Sequence, residues 1–341
     1  MAMLETLKAL CALPGVSGSE HPVREEIIRR IDSTCDWQVD ALGNLLAHKK
    51  GQQKPANTLL FSAHMDEVGF IITFAEESGL LRFATVGGID TRVIIGKPVL
   101  IGEKQVYGVI GAKAVHLQEE DEKSNPPKAE KLYIDIGAAT KEEALAHVCP
   151  GDRAIFAAPF VALGGGKVMG RALDDRAGCA LLLEMMEQEL AYDCWFSFTV
   201  QEETGCTGAK AAGYTIAPDR AVAVDTTTAS DIPGVPPEKI VCRVGNGPVL
   251  SFMDRGTVYD MEMYRLSCKT AEGLGIPYQS KEGVFGGNES RSLQTAGAGA
   301  KVLGVSLPCR YLHSPSNLLQ VSDMEHTLTL LRALVKELAD S

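Results

Sequence analysis

Two textures alternate along the chain, and their order is the tightest constraint on its fold. Up to about residue 68, and again from Arg171 onward, apolar strand-like runs alternate with longer amphipathic segments; between about Gly69 and Gly164 the runs are short, rich in Val, Ile and Phe, and separated by glycine turns. In the first texture PGVSGS at 14–19 separates two helical segments, the second carrying Val23, Ile27, Ile28 and Ile31 on one face. Residues 44–47 and 58–63 (TLLFSA) read as strands, the latter apolar enough to lie inside a sheet. Further on, a helix over 175–190, a strand over 194–200, a helix over 206–214, a strand over 220–224 and a closing helix over 322–338 keep the rhythm of an α/β sheet covered by helices. The middle region, with FIITFA, LLRFATV, RVIIG, PVLIG, VYGVIGA, LYIDIG and RAIFA, has the pattern of a small barrel or sandwich, interrupted by one helical stretch at 141–147. The expected fold class is an α/β/α sandwich split in sequence, residues 1–68 and 165–341, with an inserted all-β, barrel-like domain at 69–164.

At 341 residues the core needs neither disulfide nor metal to hold together, so a metal argued from these residues would be catalytic. A formal charge of -11 argues against nucleic acid and anionic membrane as partners, because phosphate binding needs clustered Lys and Arg. The N-terminal stretch, with Glu5 in it, shows no apolar run of signal-peptide or membrane length. Nine cysteines, scattered and without CxxC spacing, read as reduced and mostly buried. The expected location is the cytoplasm.

Chemistry gathers where apolar runs end. TLLFSA is followed by His64 and Asp66, WFSFTV by Glu202 and Glu203, AVAV by Asp225, and RYL at 310–312 by His313; the loop GRALDDRAG adds Asp174 and Asp175 before a helix. In open α/β sheets ligands collect beyond the carboxyl ends of strands, so these groups are expected in one crevice. Each has an ordinary reading alone: a structural histidine, an Asp N-cap, a solvated Glu pair, an Asx-type turn. Together they put several charges at one sheet edge, with no Lys or Arg in the adjacent strand-tip positions, and a metal pair becomes the economical solution. Oxygen and imidazole donors without thiolate suit Zn, Co or Mn. Adjacent residues on an extended segment point to opposite sides, so Glu202 and Glu203 are not both terminal ligands of one ion, which assigns one to a metal and the other to proton transfer. Asp66, two residues after His64, is positioned to orient that imidazole.

These stretches match a family. GVSGSE at 15–20, LGNLLA at 42–47, AHMDEVGF at 63–70, YIDIGAATKEEA at 133–144, ALDDRAGCA at 172–180, QEETGCTGA at 201–209, AVDTTTASDIPG at 223–234 and RYLHSP at 310–315 come in an order and spacing that resembles metallopeptidase family 42, the tetrahedral (TET-type) aminopeptidases related to glutamyl and leucyl aminopeptidases. The resemblance implies two divalent ions per subunit, one held by His64, Asp174 and Asp225, the other by Asp174, Glu203 and His313, with Asp174 bridging. It implies Glu202 as general base, Asp66 as the carboxylate that orients His64, and a cis bond between Asp174 and Asp175. The implied activity is hydrolysis of N-terminal residues from short peptides, and the implied partner is further copies of the same chain, a dimer-based dodecamer assembled through the inserted domain. The chain departs from the family at Gly286–Ser290 (GGNES, where GGTDA is common) and at Lys113–His116 (KAVH, where two prolines usually precede the His). Neither departure falls on a ligand, so both bear on substrate preference and assembly.

Two rival functions remain open at this point. An endoglucanase-type glycoside hydrolase would use paired carboxylates, but needs no metal-binding histidines and favours sugar-stacking aromatics, of which two tryptophans are a poor supply. A non-catalytic scaffold would lack a ligand, and here five ligand candidates and the base are present.

Overall fold

The computed structural model describes residues 2–339. Its strands form one eight-stranded sheet, one closed six-stranded barrel and one three-stranded sheet. The large sheet runs, edge to edge, through Asp36–Val39, Leu45–Lys49, Cys194–Thr199, Leu59–His64, Arg220–Thr228, Lys301–Cys309, Val249–Ser251 and Gln279–Ser280. Its four central strands, Cys194–Thr199 to Lys301–Cys309, are mutually parallel, so their carboxyl ends share one edge.

Burial on both faces follows from the sequence of strand Leu59–His64, in which every residue is buried. Leu59, Phe61 and Ala63 pack on one face, against helices Leu173–Met186 and Val321–Ala339, in a core that helix Ala2–Ala12 shares through its contact with Leu173–Met186. Leu60, one step out of phase, packs on the other with Ala209 of helix Thr207–Ile216 and Leu293. This period of two is what a sheet covered on both sides demands.

Six of the seven short runs in the middle region form the barrel, in the order Gly69–Ala75, Leu81–Val86, Tyr133–Asp135, Val106–Gly111, Pro98–Ile101, Arg153–Phe156. Its interior is a separate core in which Phe70 meets Phe83 and Phe156 edge to face, both at 5.2 Å. RVIIG is the exception. The Asp90 carboxylate accepts from Arg92 N at 2.9 Å and starts a single 3-10 turn, Thr91–Val93, in place of a strand. Val161–Leu163 pairs with Lys167–Gly170, which pairs with Asn317–Gln320, so a small sheet joins the end of the barrel region to the loop carrying His313.

Candidate metal centre

Four parallel strands and one helix deliver the predicted residues to a single cleft. His64 ends strand Leu59–His64. Asp225 lies within a strand rather than after one, because the β-branched Thr226–Thr228 keeps Arg220–Thr228 extended past residue 224. Glu202 and Glu203 follow strand Cys194–Thr199 in a turn: Gln201 has a φ of 56°, and the N–H groups of Gly205 and Cys206 donate to the Glu202 carbonyl at 2.8 and 2.9 Å. The extended segment that would send the two carboxylates to opposite sides is therefore absent, and the turn separates them instead. RYL is also a turn: strand Lys301–Cys309 stops before it, and Tyr311 and His313 have φ of 61° and 56°. The bond from Asp174 to Asp175 is cis. The two neighbours divide their tasks, since Asp175 caps the helix by accepting from Gly178 N at 2.9 Å while Asp174 faces the cleft.

Asp174 lies between the two imidazoles. Its Oδ1 is 3.4 Å from His64 Nε2 and its Oδ2 is 3.3 Å from His313 Nε2. His64 Nε2 is also 3.8 Å from Asp225 Oδ1, and His313 Nε2 is 3.2 Å from Glu203 Oε2. Donor atoms bound to one tetrahedral ion at ~2.0–2.1 Å stand roughly 3.3 Å apart. Two groups, His64–Asp174–Asp225 and Asp174–Glu203–His313, each offer ligand atoms within 4.8 Å of one another. Glu203 Oε1 is buried without a partner. The donor set thus fits divalent cations bound by oxygen and imidazole nitrogen.

The charges point the same way. Burial, together with repulsion from Asp174, pushes the carboxyls of Asp225 and Glu203 well above the ordinary range, and burial raises Glu202 as well. Asp174 is held low despite its burial by the hydrogen bonds of His313 and His64. His313, although buried, is pushed up to about 10 by Asp174 and Glu203. A cluster that must gather protons to sit together is one that a multivalent cation would relieve.

The surrounding contacts fix the donors. Asp66 is fully buried; its Oδ1 lies 3.3 Å from His64 Nδ1 and accepts from Glu202 N at 2.9 Å, while its Oδ2 accepts from Ser17 Oγ at 2.6 Å and from Glu203 N at 3.1 Å. One carboxylate therefore orients an imidazole and the backbone of the Glu pair. The Gly88 carbonyl lies 2.7 Å from His313 Nδ1, an anchor supplied by the barrel region.

Sequence reasoning missed several residues. Glu289, fully buried, accepts from Ser62 Oγ at 2.5 Å and from Thr199 Oγ1, beneath the site. Cys206 donates its thiol to Glu202 Oε1 at 3.2 Å. Phe285–Asn288 line the same cleft as the ligand groups, so the GGNES departure reaches the site, and Lys281 supplies the cation that the strand tips lack. These positions come from irregular segments, where no periodicity announces burial. A signal for Glu289 did exist: hydroxyl residues Ser62, Ser197 and Thr199 in otherwise apolar central strands need a polar partner.

The chain resembles known proteins along almost its whole length. The family described as M42 glutamyl aminopeptidase matches residues 43–330. A protein of Acetivibrio thermocellus is 39% identical over 96% of this chain and 97% of its own length. A lysyl aminopeptidase of Pyrococcus furiosus is 30% identical, covering 98% of this chain and 97% of its own. Among solved structures, the TET1 peptidase of Pyrococcus horikoshii, described as able to assemble into a tetrahedron or a large octahedral shell, superposes with a TM-score of 0.86 at 38% identity, covering 98% of this chain and 99% of that one. Fold, motif order and family match agree, and the chain belongs to the M42 aminopeptidase family.

Proposed function

We propose that this chain is a dinuclear metal-dependent aminopeptidase that removes N-terminal residues from short peptides. The observation that carries the reading is Asp174, shared between two ligand groups that each contain one imidazole. His64, Asp174 and Asp225 would hold one ion, and Asp174, Glu203 and His313 the other. When bound, two divalent ions, Zn or Co with Mn as a further candidate, would acidify a water and stabilise negative charge on the scissile carbonyl oxygen.

The protein's own groups do the rest. Asp66 and the Gly88 carbonyl engage the Nδ1 atoms of His64 and His313, leaving both Nε2 atoms for the cleft. Glu202, whose Oε2 stands 4.0 Å from His64 Nε2, takes the proton of the attacking water and returns it to the leaving amine. The glycosidase reading draws no support from the cleft, where imidazoles interleave with the carboxylates and Phe285 is the one Phe, Tyr or Trp.

Residues 69–164 are proposed as the assembly module of a homo-oligomer, with a dimer-based dodecamer as its full form. Tyr107, Val115 and Leu117 support this, being 71%, 71% and 59% exposed on the barrel region. No helix among the described residues is long and apolar enough to cross a membrane, and the nine free cysteines suit the cytoplasm.

The test is hydrolysis of aminoacyl-p-nitroanilides before chelation, after it, and after readdition of Zn, Co or Mn, with carboxymethylcellulose as the competing substrate. Loss and recovery of anilide cleavage is expected. Full activity after complete metal removal would sink the mechanism, and cleavage of the polysaccharide alone would favour the glycosidase.

A further inference from the structure

A separate cavity, of about 370 Å³, lies where the inserted barrel meets the loop at 14–22, and it shares no lining residue with the metal cleft. The loop forms one wall, and barrel residues from 100–105 and 151–155 form the other. Val16 and Ile155, both buried, and Leu100 give it apolar surface. Its ionisable lining residues are His21, Glu103, Asp152 and Arg153. Asp152 is engaged, its Oδ2 accepting from Cys149 N at 2.8 Å. Arg153 donates only to neutral groups, through Nε to the Ser17 carbonyl at 3.3 Å and through Nη1 to the Gly151 carbonyl at 2.8 Å; among the described residues no carboxylate pairs with it. Glu103 is exposed and has no hydrogen-bond or ion-pair partner among the described residues. A pocket between two cores, apolar in part and carrying one unmatched charge of each sign, suits a small amphoteric molecule.

The wall at 14–22 also reaches the candidate active site. Ser17 Oγ donates to Asp66 Oδ2 at 2.6 Å, and Asp66 in turn accepts from the N–H groups of Glu202 and Glu203. Glu20 Oε1 accepts from Gly18 N at 2.6 Å and from Gln201 N at 3.1 Å, holding the turn that precedes the pair. Arg153 grips this wall from the barrel side through the Ser17 carbonyl. A ligand carboxylate competes for that guanidinium with advantage, since charge-assisted pairs are roughly twice as strong as neutral ones. Ser17 then loses its hold on the barrel, and the hydrogen bond its hydroxyl gives Asp66 loses its fixed geometry.

We propose that this cavity is a regulatory site for a free α-amino acid with an apolar side chain, whose binding slows turnover. The carboxylate pairs with Arg153, the ammonium with Glu103, and the side chain lies against Val16, Leu100 and Ile155. The inference rests on the aminopeptidase reading above for the source of its ligand, because that reaction releases free amino acids.

The experiment uses the full chain loaded with Zn and follows hydrolysis of an aminoacyl-p-nitroanilide at saturation, with and without L-leucine. Leucine that only competes in the catalytic cleft raises KM and leaves kcat unchanged. Occupancy of the cavity should lower kcat by about 5-fold, the low end of usual coupling between sites. Isoamylamine, which lacks the carboxylate, and isocaproate, which lacks the ammonium, should leave kcat as it is. Arg153→Met should abolish the effect. Glu103→Lys alters an exposed residue, so its activity without leucine should match wild type, while the half-effective leucine concentration rises by about 5-fold. A kcat unmoved by L-leucine, an equal effect of either analogue, or an equal response in wild type and Glu103→Lys overturns the proposal, even where Arg153→Met fails to fold. If no anilide is cleaved, the aminopeptidase reading fails separately and calorimetry decides the site. L-leucine binding that weakens in Glu103→Lys then sustains it, and binding indifferent to that substitution, or none, rejects it.

Discussion

Glu202 and Glu203 are neighbours in sequence with different surroundings, and substitution should separate them. Glu203 Oε2 faces His313 and Oε1 has no protein partner, so Glu203→Gln should weaken metal binding beyond the roughly 10- to 100-fold typical of losing a supporting contact. Glu202→Gln should keep both ions, as counted by elemental analysis of the purified protein, while kcat falls by about 10²- to 10⁴-fold. Equal metal loss in both variants would contradict the division. Glu289 makes a prediction of another kind. Burial raises its carboxyl from 4.5 to about 7, although His64, Ser62 and Thr199 act against the rise. Between those values the folded state holds a proton that the unfolded chain has released, so this group's contribution is fully present below about pH 4.5 and is lost as pH rises through 7. The loss is of order 3 kcal/mol at most. Urea titrations at several pH values should therefore show Glu289→Gln gaining on wild type between pH 5 and 8, and parallel curves would refute it. The seven proposed site residues lay in stretches legible as ends of apolar runs or the start of a helix, but their division into ligands and base came from the family resemblance. Glu289 was not legible, since its hydroxyl partner Ser62 lies 227 positions away and only folding brings them together.

Elements hold the site by their ends, and one buried ion cluster ties three of those ends together. Arg176, in the first turns of helix Leu173–Met186, has no exposed surface; it donates to the Met65 carbonyl at 2.8 Å and the Leu10 carbonyl at 2.6 Å, and lies 3.3 Å from Glu67. Arg171 reaches the same Glu67 at 2.5 Å. The loop at 14–19 passes so close that a Cβ on Gly15 would stand 2.4 Å from Arg176 Nη2, which accounts for glycine there. Removing one partner leaves buried groups uncompensated, so Arg176→Met should cost about 3–5 kcal/mol in chemical denaturation. Glu67→Gln added to it should recover part of that loss, because the two residues share one network. Most elements were readable from pattern, but their ends were not. Residues 226–228 extend a strand that apolar periodicity ends at 224, while Arg310–Leu312, apolar enough for a strand, turns away to present His313. Strand ends are set by what the next loop must reach, a tertiary requirement that local propensity does not carry.

At the scale of the molecule, two cores meet at one candidate metal site. The change of texture at about residue 69 made the inserted β region visible, but neither the closure of its barrel nor its strand order could be read, because both depend on pairings far apart in sequence. The insert is not merely appended, since Gly88 of that region engages His313. Cations bound between the ligand groups should therefore stabilise the sheet directly and the barrel only through this contact. The chain carries its own probe for separating the two, because both tryptophans, Trp37 and Trp195, lie in strands of the large sheet. At free Zn about 100 times its dissociation constant, each site that binds only the folded state adds about 2.7 kcal/mol. The unfolding midpoint followed by tryptophan fluorescence should rise accordingly over that in chelator, and the rise should shrink in Glu203→Gln. Only Tyr107 and Tyr133 of the eight tyrosines lie in the barrel region, so the other core is followed by amide hydrogen exchange in its strands instead. If barrel and sheet unfold as one unit, both signals move together with Zn. If they separate, the tryptophan transition alone should move, and a tryptophan transition indifferent to Zn would remove the metal centre from this cleft.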